Sequence, residues 1–183
     1  MSLIDQREAI INAAKDNLGA LSGNCQSFGG RFAAAEIKRY ALQSPAILVA
    51  CLGIPEIRDD EHGAIDLITQ WGTFVICTDK PQLPRDAGAL AIVTALLPIF
   101  RGRTIAADEN VGYPEKVRGE NLFSGAIEGQ GIALWAITWQ QKITITDFDP
   151  SGLDDFLLFH ADYDLAPPDG AIDAADNINL LQT

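Results

Sequence analysis

Histidine is nearly missing from this 183-residue chain, with only His62 and His160 present. Chemistry that depends on an imidazole base or a histidine-rich metal site therefore has few positions to use. Cysteine is sparse as well. Cys25, Cys51 and Cys77 are odd in number and lack metal-like spacing. They read as reduced, mostly buried thiols of a cytosolic chain. No apolar run approaches the ~18 residues that a membrane span requires. The opening MSLIDQREAIINAAKDNL intersperses charges of both signs with apolar residues, so it reads as neither a signal peptide nor a transit peptide. Basic residues are in deficit, 13 Lys+Arg against 25 Asp+Glu, a formal charge of -12. Without a basic cluster the chain is a poor candidate for tracking nucleic-acid phosphates.

The deficit is uneven. Residues 147–183 hold nine aspartates and no Lys or Arg, whereas residues 1–146 carry 13 basic and 16 acidic side chains. Aspartate suits turns and loops better than helix interiors. With 48% apolar residues, the chain is long enough to bury roughly 70% of its unfolded surface without disulfides or a structural metal.

Periodicity predicts helices over 3–18, 32–42 and from Arg85 to Pro98, the last with Leu90, Val93 and Leu97 as its apolar positions. Strands are predicted at Cys25–Phe28, across PAILVACLG (45–53), over 65–78, at Thr104–Ala107 and over 131–145. The segment IRDDEHGA reads as an exposed loop. A hairpin across Glu128–Gly131 would pair 119–126 with 131–145, and the long strands 65–78 and 131–145 should be neighbours. Another alternating run, DFLLFHADYDL, precedes a mostly extended C-terminal segment. The order implies an α+β fold, a mixed and largely antiparallel sheet with about three helices packed on one face. The expected division is one domain over 1–166 and an extended arm over 167–183.

Signs of catalysis are weak. No phosphate loop is present, and Gly125, Gly129 and Gly131 precede a strand, so they read as a turn. His160, Asp162 and Asp164 share one strand face and could converge on an ion, but an alternating strand produces that pattern by itself. Asp59, Asp60, Glu61 and His62 read as a solvated loop. Cys51 and Cys77 lie in apolar strands, where a thiol is usually inert. Ser27 and Ser124 lack a nucleophile elbow. The reading is therefore not an enzyme, with no catalytic, cofactor or metal residues. Trp135 and Trp139 share one face of the longest strand, as core or as an interface.

The segments SFGGRF, PAILVACLG, TFVICTDKP, GIALWAITWQQ and HADYDL…IDAADNI carry a resemblance over most of the chain. Together they resemble the Mu-like phage and prophage tail proteins, a domain of unknown function likened to tail terminators. That resemblance implies an α+β subunit of a homo-oligomeric, hexameric ring that caps the tail tube and prepares it for head joining. The implied partners are other copies of the chain, the tail tube protein and the head–tail connector; charge and hydropathy add the expectation of no nucleic acid and no membrane. The implied location is the virion tail, and the host cytoplasm during assembly. Trp135, Trp139, Leu180 and Leu181 are the candidate interface residues, the two leucines as anchors of the C-terminal arm. A non-virion assembly or binding module, and a small enzyme with an unrecognised site, remain as alternatives.

Overall fold

The structure is a computed structural model that describes residues 2–29, 34–59, 64–122, 131–146, 158–163 and 174–179. The described residues form three α-helices and seven strands in two units, Met1–Asp147 and Phe148–Thr183.

The first unit is built on a five-stranded mixed sheet in the order β1 (Cys25–Ser27), β2 (Ala46–Asp59), β3 (Ile65–Thr78), β5 (Ile132–Ile145), β4 (Glu115–Asn121). β1 runs parallel to β2, and the other pairs are antiparallel. β3 and β5 are its spine. Their register is unbroken from Ile65↔Ile145 to Thr78↔Ile132. Strict alternation in both segments makes this register the one that keeps each apolar set on its own face. The α+β class and the β3–β5 pairing agree with the sequence reading; β4 pairs with β5 as expected, but over Glu115–Asn121 rather than 119–126, and most of the expected turn across 128–131 lies outside the described residues.

Odd-numbered β3 and β5 residues, among them Trp71, Val75, Ile137 and Trp139, pack beneath α1 (Leu3–Leu18) and α3 (Arg85–Leu96). The even-numbered Phe74, Ile76, Leu134 and Ala136 pack with Ile37 and Tyr40 of α2 (Ala34–Ala41). The expectation of all helices on one face is thereby corrected. β2 is apolar at both parities, with Ile47 and Val49 on one side and Leu48 and Ala50 on the other. A strand buried on both faces needs a layer on each.

Local chemistry sets the helix ends. Ser2 and Asp5 form a capping box, Asp5 N–H donating to Ser2 Oγ at 3.2 Å and Ser2 N–H to the Asp5 carboxylate at 2.8 Å. At the start of α3, Arg85 N–H donates to Asp79 Oδ1 at 3.0 Å. Its end becomes a 3-10 turn, Leu97–Phe100, where Pro98 cannot continue the α-helical ladder.

Two further expectations are corrected. β2 does not stop at Gly53; it continues to Asp59, with register shifts on either side of Gly53. Gly53 sits at φ 151°, a backbone value that favours glycine. Pro55 is tolerated because β1 pairs only with Ile47–Val49, leaving this half of β2 at the sheet edge. The expected strand at Thr104–Ala107 is instead a turn-rich loop.

The second unit contains β6 (Leu158–Tyr163) and β7 (Ala174–Asn179), paired antiparallel from Leu158↔Asn179 to Tyr163↔Ala174. The boundary therefore falls at Asp147/Phe148, and the 167–183 segment contributes a paired strand rather than only an extended arm.

Candidate functional site

The sequence-predicted positions do not converge on one site. Trp139 is only 1% exposed and stacks edge-on against Phe100 at 4.8 Å between ring centroids. Its interface role is corrected to core packing, because its face of β5 is covered by α1, α3 and the turn after α3. Trp135 is half-buried and lines an open cleft of about 420 Å³ with Asp79, Arg85 and Asn121. There the Arg85 guanidinium pairs with Asp79 at 3.1 Å. Leu180, Leu181, Ser124, Asp164 and Asp60–His62 lie outside the described residues. His160 and Asp162 stand opposite Asn177 and Ala175 in the β6–β7 register. Among the described residues, no three His, Cys, Asp or Glu side chains gather in a way that could hold an ion.

The thiols divide by burial. Cys25 and Cys77 are buried, and burial pushes each up to about 11. Cys51 is exposed, in the edge half of β2. That corrects its reading as a buried strand thiol.

Sequence reasoning missed a buried polar network. Gln6 of α1 donates from Nε2 to the Ile105 carbonyl at 2.6 Å and to Gln141 Oε1 at 3.1 Å, and its Oε1 accepts from Ala107 N–H at 3.0 Å. Gln141 Nε2 donates to the Gly112 carbonyl at 2.8 Å, and Trp139 Nε1–H donates to Gln141 Oε1 at 3.3 Å. Trp71 Nε1–H reaches Thr69 Oγ1, whose hydroxyl donates to the Gln141 carbonyl at 2.7 Å. The network ties α1 and the 101–112 loop to the sheet. A satisfied network of this kind fixes one arrangement of the elements it joins, so its role is positioning.

Two surfaces stand out instead. The first is a pair of unlike sheet edges. On the outer half of β2 every residue from Cys51 to Asp59 is exposed, including Leu52, Ile54 and Ile57, the last at 63%. On the other side, β4 is exposed throughout and carries Val117, with Tyr113 just before it. Open edges with apolar side chains are templates for further chains. The second surface is the outer side of α3 and the turn after it, where Leu90 and Leu97 are 46% and 49% exposed. The sequence signal for it was visible: no charged residue occurs from Ala87 to Phe100.

No family model matches this chain, and a search of characterised proteins finds no match either. Among the described residues no helix is long and apolar enough to cross a membrane.

Proposed function

We propose that the chain is a self-assembling structural subunit of a phage-type tail, in the tail-terminator role. The sequence resemblance to Mu-like tail proteins suggests the particle. The observation that carries the assembly half of the reading is the pair of unlike open edges, β2 beyond Ala50 and β4, on one sheet. Contact between two different surfaces of the same subunit is heterologous, and it closes into a ring when the rotation between subunits closes. Strand addition at an exposed edge supplies main-chain hydrogen bonds, and the side chains set the specificity. Here Ile57 and Val117 would supply apolar contact, while Glu56, Arg58, Lys116 and Arg118 would set register.

Native mass spectrometry and negative-stain imaging of the full chain test the assembly, and quantitative proteomics of purified tails tests the particle. The expected result is a ring of about six copies in solution and the same stoichiometry in tails. A chain that stays monomeric and is missing from tails would overturn the reading. A ring that forms but never enters tails would favour a non-virion assembly factor.

A further inference from the structure

A helix that is apolar on every side is normally buried on every side. α3 meets the first condition and not the second. Its inner side, Ala89, Ile92, Val93 and Leu96, packs into the core. Its outer side exposes Ala87, Leu90, Ala91 and Thr94, and the turn that follows adds Leu97 and Pro98. The one hydroxyl of the helix bonds back into it, Thr94 Oγ1 donating to the Leu90 carbonyl at 2.8 Å. From Ala87 to Pro98 the outer side therefore offers a partner no charge and no free side-chain donor.

We propose that this side is a two-fold contact between copies of the chain, α3 lying antiparallel on α3. The occupant is chosen by the charges at the two ends. Asp86 stands in the first turn and Arg101 just beyond the last. Both are exposed, and neither is ion-paired among the described residues. Asp86, Leu90, Thr94 and Leu97 follow one another at steps of three or four, the spacing of a single helix stripe, and Arg101 stands just beyond the short 3-10 turn that begins at Leu97. In an antiparallel pair, the register that sets Leu90 against Leu97 of the second copy also brings Asp86 to the end of the second copy that carries Arg101. Both pairs share one centre, between Val93 and Thr94. A parallel pair would set like charge against like. Small residues at Ala87, Ala91 and Thr94 leave room for the leucines of the facing helix, as ridges fill grooves. A chain of net charge -12 repels its own copies, and a face without net charge is where that repulsion is least.

The contact is isologous and closes at two copies. It uses α3, whereas the proposed ring uses the sheet edges, so either can fail without the other. One α3 helix spans about 18 Å, which makes a small interface and a dissociation constant in roughly the micromolar range.

Sedimentation equilibrium of the full chain tests it. Leu90→Glu is expected to weaken the pair by at least about ten-fold, as loss of a central apolar contact does. Asp86→Arg and Arg101→Glu should each weaken it, and the double exchange should restore it, which a general surface effect would not do. In a Cys51→Ser background, mixing Leu90→Cys with Leu97→Cys chains should give an oxidised heterodimer, with neither variant cross-linking to itself. All four positions are exposed, and circular dichroism checks that each variant stays folded. A chain monomeric at every concentration overturns the proposal, as does Leu90→Cys cross-linking to itself. Self-association that Leu90→Glu leaves unchanged overturns it too, while leaving the ring reading intact.

Discussion

Replacing Gln141 by Leu and Thr73 by Val should move stability in opposite directions, although each exchanges one buried polar side chain on the same sheet face for an apolar one. Gln141 is a hub. Leucine there leaves Trp139 Nε1–H and the Gly112 carbonyl without their partners and removes one of three bonds to Gln6. A buried group left unpaired costs about 1–3 kcal/mol, so two cost about 2–6 kcal/mol. Apolar gain from the new side chain offsets about 1 kcal/mol of this. Thr73 is the reverse case: its Oγ1 is buried without a hydrogen-bond partner among the described residues. Valine keeps the shape and removes the unmet hydroxyl, a gain of about 1 kcal/mol. Urea unfolding followed by tryptophan fluorescence reads both, since Trp71, Trp135 and Trp139 all lie in the first unit. Gln141→Leu should lower the midpoint at unchanged slope and Thr73→Val should raise it. In thermal melts the net Gln141→Leu loss, about 1–5 kcal/mol, corresponds to a fall of about 2–20 °C. If Thr73→Val is the more damaging change, the hydrogen-bond argument for this face is wrong.

Two further outcomes follow from burial and charge. At pH 8 a thiol reagent should modify one cysteine per folded chain quickly, Cys51, and Cys25 and Cys77 only on unfolding. With their thiols pushed up to about 11, about one molecule in a thousand carries either thiolate at that pH. A second fast thiol would contradict the placement of those two residues. The Asp66 carboxylate is held below the ordinary carboxylate range by Lys142 at 2.7 Å and by the Thr144 hydroxyl at 2.6 Å. A carboxylate lowered on folding stabilises the protein above its unfolded value, about 4, and that contribution fades as the pH falls below it. Asp66→Asn should therefore lower stability at pH 7 and flatten its decline below about pH 4; an unchanged acid limb in pH-dependent urea melts would contradict the assignment.

Much of the fold was legible because the two spine strands alternate so strictly. Ile65–Thr78 and Ile132–Ile145 each sort into two faces by parity, and that parity survives in the packed sheet. The reading failed where local chemistry and tertiary placement part company. Gly53 and Pro55 look like the end of a strand, yet an edge strand tolerates both, and β2 runs on to Asp59. Thr104–Ala107 resembles a strand, but Gln6 takes up backbone groups at Ile105 and Ala107 and holds a loop. The sidedness of α2 depends on which face of β2 still needs cover, and the sequence of α2 alone does not carry that.

The network and the α3 surface were both written in the sequence as departures from pattern. Gln141 interrupts the apolar set Trp135, Ile137, Trp139, Ile143, and Gln6 stands four residues before the buried Ile10. A polar residue inside an apolar register must find a partner when buried, and these two find each other. α3 departs in the opposite sense. An amphipathic helix declares its inner side by contrast with a polar one, but Ala87–Phe100 has no polar side to contrast. The reading by spacing therefore chose Leu90, Val93 and Leu97 together, and packing buries only Val93 of the three. The missing contrast is itself informative. A helix that must face water on one side gains solubility from charge there, and this one carries charge only in its first turn, the next charge being Arg101 beyond the turn that follows it. The pattern fits a helix that works between two apolar surfaces, the core of its own chain and the same helix of a second copy.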